Sequence, residues 1–398
     1  MRRVVLALFL VACGSASDDA QQGAPAPGPT GTTPAPTPDP NPTPSPNPTP
    51  TPNDGTTTFR IHYAGQSGTL SLRGSTGPLS WEKSVALTPG TEANVFVYQT
   101  KDITTPTEFK PMLGETWSRG PNYRVARGQT VDVFPHFVVA AGKVEKLYPA
   151  FVSQKLPSTR NVWVYLPPTY VENTTARLPV MYMHDAQNLF DPASAFGGNE
   201  WKVDETMNAG AEDGTIRETI IVGIENTPDR INELTPTSDP EYGGGKANAY
   251  LSMIADEVKP KVDKDLRTLS GRADTAIMGS SLGGLVSVYA GVERADVFGL
   301  VAAMSPSTWW DNRYIVGHVG TLGQHPTRPL RVYVDSGDAG ASNDDVTNTK
   351  TLADAIAAQG YTTGKDLRYV VAKGAAHNET YWAARLPAAL PFVLGPGR

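Results

Sequence analysis

The run Thr275-Ala276-Ile277-Met278-Gly279-Ser280-Ser281-Leu282-Gly283 decides how the rest of the chain reads. Thr275 to Met278 has the composition of a buried strand, and Leu282 to Val292 suits a helix. A strand that turns sharply into a helix leaves the side chain at the turn projecting past the strand's end. Ser281 holds that place within the pattern G-x-S-x-G, which makes it the candidate nucleophile. Gly279 and Gly283 leave room for strand and helix to approach closely. The helix N-terminus favours negative charge developing beside Ser281.

Similar strands lie on either side. Val162 to Leu166, Val180 to Met183, Ile220 to Ile224, Leu300 to Met304 and Val332 to Val334 are short apolar runs. Helical stretches alternate with them, including Tyr250 to Leu266, Leu282 to Glu293 and Thr349 to Gln359. Strands alternating with helices predict a mostly parallel sheet covered on both faces.

A serine hydroxyl is a poor nucleophile until a base takes its proton. For a serine on such a turn, an acid and then a histidine follow in chain order. Among the six histidines, His377 follows the strand-like Leu367 to Ala372 and the loop Lys373-Gly374-Ala375-Ala376. That is the place expected of the base. His318 and His325 sit in a loop-like segment ahead of the acid strand and read as surface or structural residues. The acid is expected just past Val332-Tyr333-Val334. Asp338 is the first choice, with Asp344 and Asp345 as rivals, and Asp335 reads as a turn cap. Two backbone N–H groups must face the developing oxyanion. Leu282 supplies one. Gln187, in the polar loop His184 to Asp191, is the choice for the other, with Asp185 bracing the loop. No metal or cofactor is called for.

These segments resemble a family when taken together. Met181-Tyr182-Met183-His184-Asp185-Ala186-Gln187-Asn188-Leu189-Phe190-Asp191, Val222-Gly223-Ile224-Glu225-Asn226, Gly279 to Gly284, Ser305-Pro306-Ser307-Thr308-Trp309-Trp310, His377-Asn378-Glu379 and Arg385-Leu386-Pro387 are similar to the Putative esterase family. Its members include esterase D, feruloyl esterases, enterochelin esterases and mycolyltransferases. The resemblance spans roughly 147–394. It implies an α/β-hydrolase fold and a serine carboxylic-ester hydrolase working through an acyl-enzyme. Ser281 and His377 would be in the triad, with Leu282 and Gln187 as oxyanion donors. In many relatives the acid stands about three residues after a glycine like Gly337. Here Gly340 occupies that place, so the acid stays open. Trp309 and Trp310 are candidates for the acyl or alcohol pocket or for plain core.

Upstream, alternating apolar residues such as Phe59, Ile61 and Tyr63, broken by turn clusters, predict a small β-sandwich over 57–140. Leu79-Ser80-Trp81, Phe109-Lys110-Pro111 and Trp117-Ser118-Arg119-Gly120-Pro121-Asn122 resemble starch-binding domains. That likeness implies sugar contacts at Lys110 and Trp117. The other reading makes Trp81 and Trp117 core residues. The hydrolase domain is expected over 147–398.

The first residues carry a different signal. Arg2 and Arg3 precede a short apolar run, and Leu10-Val11-Ala12-Cys13 resembles a lipoprotein lipobox, so 1–20 reads as an export signal with Cys13 as lipidation site. The chain then has no further cysteine. The Pro/Thr-rich stretch 21–56 favours extended polyproline II and reads as a spacer above a membrane. An exported, membrane-anchored lipoprotein is the expectation.

A net charge of −6 without a basic run argues against nucleic acid as the main partner. It fits a small-molecule or polysaccharide-linked ester. Two rival readings accompany the hydrolase: an acyltransferase using the same triad, and a surface carbohydrate-binding protein with an inactive hydrolase domain.

Overall fold

The structure is a computed structural model that describes residues 54–397; Cys13, the 1–20 signal and nearly all of the 21–56 spacer lie outside the described residues. The main sheet has eight strands: β1 (Lys143–Phe151), β2 (Arg160–Leu166), β3 (Val180–His184), β4 (Ile220–Ile224), β5 (Thr275–Ser280), β6 (Leu300–Met304), β7 (Arg331–Gly337) and β8 (Leu367–Ala372). Their order is β1-β2-β4-β3-β5-β6-β7-β8. Pairings among β1, β2 and β4 are antiparallel, and the rest are parallel. This is the α/β-hydrolase arrangement. Because β1 starts at Lys143, the hydrolase sheet begins four residues before the expected boundary at 147.

The strands are apolar throughout because both faces are covered. Side chains alternate between faces. Val180 and Tyr182 of β3 join one apolar cluster, and Met181 and Met183 join the other. Helices α1 (Val203–Asp213) and α6 (Glu379–Leu394) cover the second face. The first face takes α3 (Leu282–Glu293), α4 (Trp310–Val319), α5 (Val346–Ala358) and α2, a run in three pieces. In α2, Ala247–Ser252 and Lys259–Asp265 are α-helical, and Met253–Val258 between them is a wider π turn. The wide turn stands just before Pro260, which has no N–H to close on Asp256.

Two small sheets precede this domain. One places Thr57–His62 between Val95–Thr100 and Thr130–Val133. The other is built on Leu70–Gly74 and Thr107–Leu113. Phe59, Ile61, Leu72 and Phe109 are fully buried in the shared core, with Phe59 and Phe109 edge to face at 4.8 Å. Trp81 and Trp117 are not part of that core. They are 37% and 39% exposed, with ring centroids 6.0 Å apart. The sandwich is tied to the hydrolase by polar groups. Glu172 accepts from the N–H groups of Phe137, Val138 and Val139 at 2.8 Å each, and from Tyr63 OH at 2.9 Å.

The tightest packing lies where β5 meets α3. A β-carbon at Gly279 would stand 2.7 Å from His184 Cδ2 and 2.8 Å from the Gly283 carbonyl carbon. Gly279→Ala is therefore expected to destabilise the fold by at least about 1–3 kcal/mol. Gly271→Ala, whose methyl would meet nothing within 4 Å, should stay within about 0.5 kcal/mol of the parent. Urea denaturation of the two variants measures the contrast.

Candidate active site

Ser281 lies between β5 and α3 with φ 56° and ψ −122°. A non-glycine residue there costs about 1–3 kcal/mol of backbone strain, which the surroundings must hold in place. They do so through hydrogen bonds on either side. Ser281 N–H donates to Met304 O at 3.0 Å, and Ser281 O accepts from Ser307 N at 2.9 Å and Leu285 N at 3.0 Å. The hydroxyl is partly exposed, and its partner is Ser307 Oγ at 3.3 Å. Leu282, the first residue of α3, has no carbonyl a turn earlier within its helix to receive its N–H.

Gln187 lies in the short 3₁₀ turn Ala186–Asn188 that follows β3. Asp185 sets the entry to that turn with φ 58°. Its buried carboxylate takes Arg230 Nε and Nη2 at 2.7 and 2.9 Å, and Asn226 Nδ2 at 2.6 Å. The expected brace is thus a paired, hydrogen-bonded ion pair. The Gln187 side chain accepts from Asn226 N–H at 3.4 Å, and the Gln187 carbonyl accepts from Ser194 Oγ at 2.8 Å.

His377 follows β8, and its ring is about one-third exposed. Its Nδ1 is 2.6 Å from Asp344 Oδ1. Trp382 packs edge to face on the imidazole at 5.0 Å. Asp344, not Asp338, is the carboxylate on His377. Asp338 is exposed, and its Oδ1 accepts from Gly374 N–H at 2.6 Å, pinning the loop that carries His377. Asp345 instead accepts from Asn348 Nδ2 at 2.7 Å. The reason lies in the backbone: Asn343, Asp344 and Asp345 all have positive φ, and this turn drives the Asp344 side chain inward until it is fully buried. Burial alone would raise its carboxyl, but donors from His377, Ser305 and Gly337 hold it below the ordinary carboxylate range. No simple spacing from Gly337 marks the position. The run Asn343-Asp344-Asp345, directly ahead of α5, reads equally as an ordinary helix start.

Asp335 caps no turn. It is fully buried at the end of β7 and accepts from Tyr333 OH at 2.9 Å and Ser305 N–H at 3.1 Å. Burial pushes its carboxyl up to about 6. His318 is a structural residue, bonded to Glu293 Oε1 at 2.8 Å and Tyr314 OH at 3.2 Å. Trp310 is buried, with its Nε1 on Thr237 O at 3.0 Å, whereas Trp309 is half-buried. Trp309 meets the exposed Tyr242 edge to face at 5.7 Å, a wall two residues beyond Ser307. In the sandwich, Lys110 Nζ donates to Gly120 O at 2.6 Å.

Glu200, Asp204 and Glu205 bring carboxylate oxygens within 4.8 Å of one another. Burial and the neighbouring Glu205 push Asp204 up to about 7. No helix among the described residues is long and apolar enough to cross a membrane.

The site can therefore present a strained serine, an imidazole backed by a buried carboxylate, and backbone amides at a helix start and a braced turn. Residues 153–393 match the family described as Putative esterase. The chain is 24% identical over 259 residues to YbbA, an uncharacterized protein of Bacillus subtilis, covering 62% of this chain and 97% of that protein. It is 33% identical over 124 residues to the siderophore enterobactin esterase of Emericella nidulans, covering 27% of this chain and 40% of that protein. A solved ferulic acid esterase superposes with a TM-score of 0.49 and 22% identity, covering 64% of this chain and 98% of that one.

The β3 end carries a pH-sensitive residue. His184 is buried, with Nδ1 2.9 Å from Tyr250 OH and Nε2 3.2 Å from Ser287 Oγ. Ser287 donates its own proton to Gly283 O, so His184 Nε2 must be the donor and Nδ1 the acceptor. Burial lowers this imidazole to about 4. In the unfolded chain it binds a proton near pH 6.5, and in the folded chain only near pH 4. Its contribution is thus intact above pH 6.5 and is lost as pH falls from 6.5 to 4, by about 3 kcal/mol in all. Urea midpoints measured across this range should fall accordingly, and His184→Gln should flatten that part of the slope.

Proposed function

The chain belongs to the Putative esterase family and is a serine esterase of the α/β-hydrolase fold, and we propose that Ser281, His377 and Asp344 carry its reaction. Ser281 Oγ attacks the ester carbonyl carbon while His377 Nε2 takes the hydroxyl proton. The carbonyl oxygen becomes an oxyanion received by the N–H groups of Leu282 and Gln187. As the C–O bond breaks, His377 returns the proton to the departing alcohol. Water then attacks the acyl-enzyme by the same route and frees the acid. Asp344 holds the Nδ1 proton and stabilises the imidazolium. The observation that supports this reading above others is the 2.6 Å contact between Asp344 and His377 behind a strained, partly exposed serine.

The substrate reading is an ester of a bulky carbohydrate-linked or siderophore type. Trp309 and Tyr242 give an aromatic wall, with Trp309 two residues beyond the Ser307 that meets the Ser281 hydroxyl, and one partial relative is a siderophore esterase. The sandwich offers a separate sugar-stacking face. Trp81 and Trp117 are both exposed and adjacent, and aromatic faces suit the apolar faces of sugar rings. Lys110 is turned to Gly120 O and would serve that face by bracing its loop. We also infer export and lipidation at Cys13, which Cys13→Ser should abolish, releasing the protein from membrane fractions.

On a panel of feruloyl, acetyl, siderophore and simple acyl esters, Ser281→Ala is expected to lower turnover by about 10⁴ or more. Asp344→Asn should cost about 10⁴, whereas Asp338→Asn should stay within about threefold of the parent. An Asp338 variant as damaged as the Asp344 variant would reverse the choice of acid. Trp117→Ala should weaken retention on polysaccharide without changing turnover of small esters. Equal retention of variant and parent would remove the sugar face.

A further inference from the structure

Behind the Asp344–His377 pair lies a buried group that the reaction outlined above does not use. Ser305 follows β6 with φ 41° and is 1% exposed. Its Oγ has three close partners: Asp344 Oδ2 at 2.6 Å, Arg385 Nη2 at 2.6 Å and Trp382 Nε1 at 3.0 Å. A serine hydroxyl has one proton and two lone pairs. Arginine and tryptophan nitrogens can only donate. Both lone pairs of Ser305 are therefore occupied by Arg385 and Trp382, and its proton can go nowhere but to Asp344.

We propose that Ser305, held as an obligate donor by Arg385 and Trp382 of α6, is a positioning residue that fixes Asp344 and, through it, the His377 imidazole. Asp344 Oδ2 then accepts from Ser305 Oγ and Gly337 N–H, leaving Oδ1 for His377. The guanidinium is itself anchored: Arg385 Nε lies 3.4 Å from Asp335 Oδ2 and Nη1 lies 3.5 Å from Asp344 Oδ2. Asp335 in turn takes the Ser305 N–H. Hydroxyl, guanidinium and two carboxylates form one buried network. Rotating the Asp344 carboxylate would break the Ser305 bond, which has no other acceptor within reach. Arg385 and Trp382 sit three residues apart on one face of α6, so a single helix delivers both donors.

The inference rests on the triad reading given above, and the experiment separates the two. The measurement is kcat, KM and the pH profile of kcat/KM for the full chain on one cleaved ester. Ser305→Ala removes a donor from the charged carboxylate. Asp344 then attracts the imidazolium more strongly, and the acid limb set by His377 moves to higher pH. The expected result is a fall in kcat of about 10–100-fold, KM within about twofold, and an acid limb raised by about 0.5–1 pH unit. The other charged groups near His377 are Asp345 in the same turn, Glu379 at the start of α6, and Arg385 with Asp335 behind Ser305; all are unchanged in this variant. A purely structural role would scale the whole profile and leave its limb in place. Because Ser305→Ala strands two buried donors and threatens folding, Trp382→Phe is measured beside it, since it keeps an aromatic ring beside His377 and removes one donor. It should move the limb in the same direction by a smaller amount. Unmoved limbs in every variant that folds, with Ser281→Ala inactive, would overturn the role of Ser305 and leave the triad standing. An active Ser281→Ala would remove the triad reading itself.

Discussion

The reversal of the chain at Ser281 is the constraint on which the rest of the site depends. A positive φ at a residue with a side chain is unfavourable, so it persists only where neighbours over-determine it. Here they come from two directions. Below the turn, Gly279 and Gly283 let β5, α3 and His184 close to distances that leave no room for a β-carbon at 279. Beside it, the segment 304–307 receives the Ser281 N–H and donates to its carbonyl. That same segment carries Ser305, which reaches Asp344, and Ser307, which reaches the Ser281 hydroxyl. Serine and acid are thus gauged against one piece of backbone at the end of β6.

The electrostatics of this backing follow from its burial. Asp335 and Asp344 are both fully buried, and Arg385 stands between them with only 7% of its side chain exposed. With a neutral imidazole, two carboxylates against one guanidinium leave a single net negative charge. In a low-dielectric interior an uncompensated charge is costly, and the guanidinium between the two carboxylates offsets part of that cost. Without Arg385 the two carboxylates would repel, and one would bind a proton. Burial already pushes the Asp335 carboxyl up, against the opposing pull of Arg385.

Much of this was legible in the residues because it rests on local rules. Apolar runs such as Ile220 to Ile224, five residues between polar flanks, have the length of strands buried on both faces, and the glycines about Ser281 gain meaning from the strand-like run before them and the helix-like run after. The residues alone place His377 after β8 and the Gln187 loop after β3. Asp344 rather than Asp338 meets His377 for a physical reason. Asp338 satisfies the sequence rule of standing just past a strand, but its backbone turns it outward to Gly374. Only the consecutive positive φ values at 343–345 send Asp344 inward, and nothing in the residue types Asn-Asp-Asp separates that turn from an ordinary helix start. The break in α2 was equally hidden, since Pro260 reads the same near a helix start as after a widened turn. Trp81 and Trp117 were ambiguous because a tryptophan in a small sandwich suits core or surface equally.

The same contrast explains why chemistry is easier to read here than specificity. The backing of the site is built from strand ends, one helix face and the turn at 343–345, where buried donors and acceptors are paired. The front is built from loops: Gln187 in a 3₁₀ turn, Tyr242 between two short strands, Trp309 ahead of α4. The Tyr242 ring lies against both Trp309 and Trp310, which also meet each other, so this wall is held by its own aromatic contacts and not by Asp344, Ser305 or Arg385. On the reading proposed above, the identity of the ester is to be sought in Trp309, Tyr242 and their neighbours rather than in Ser281, His377 and Asp344.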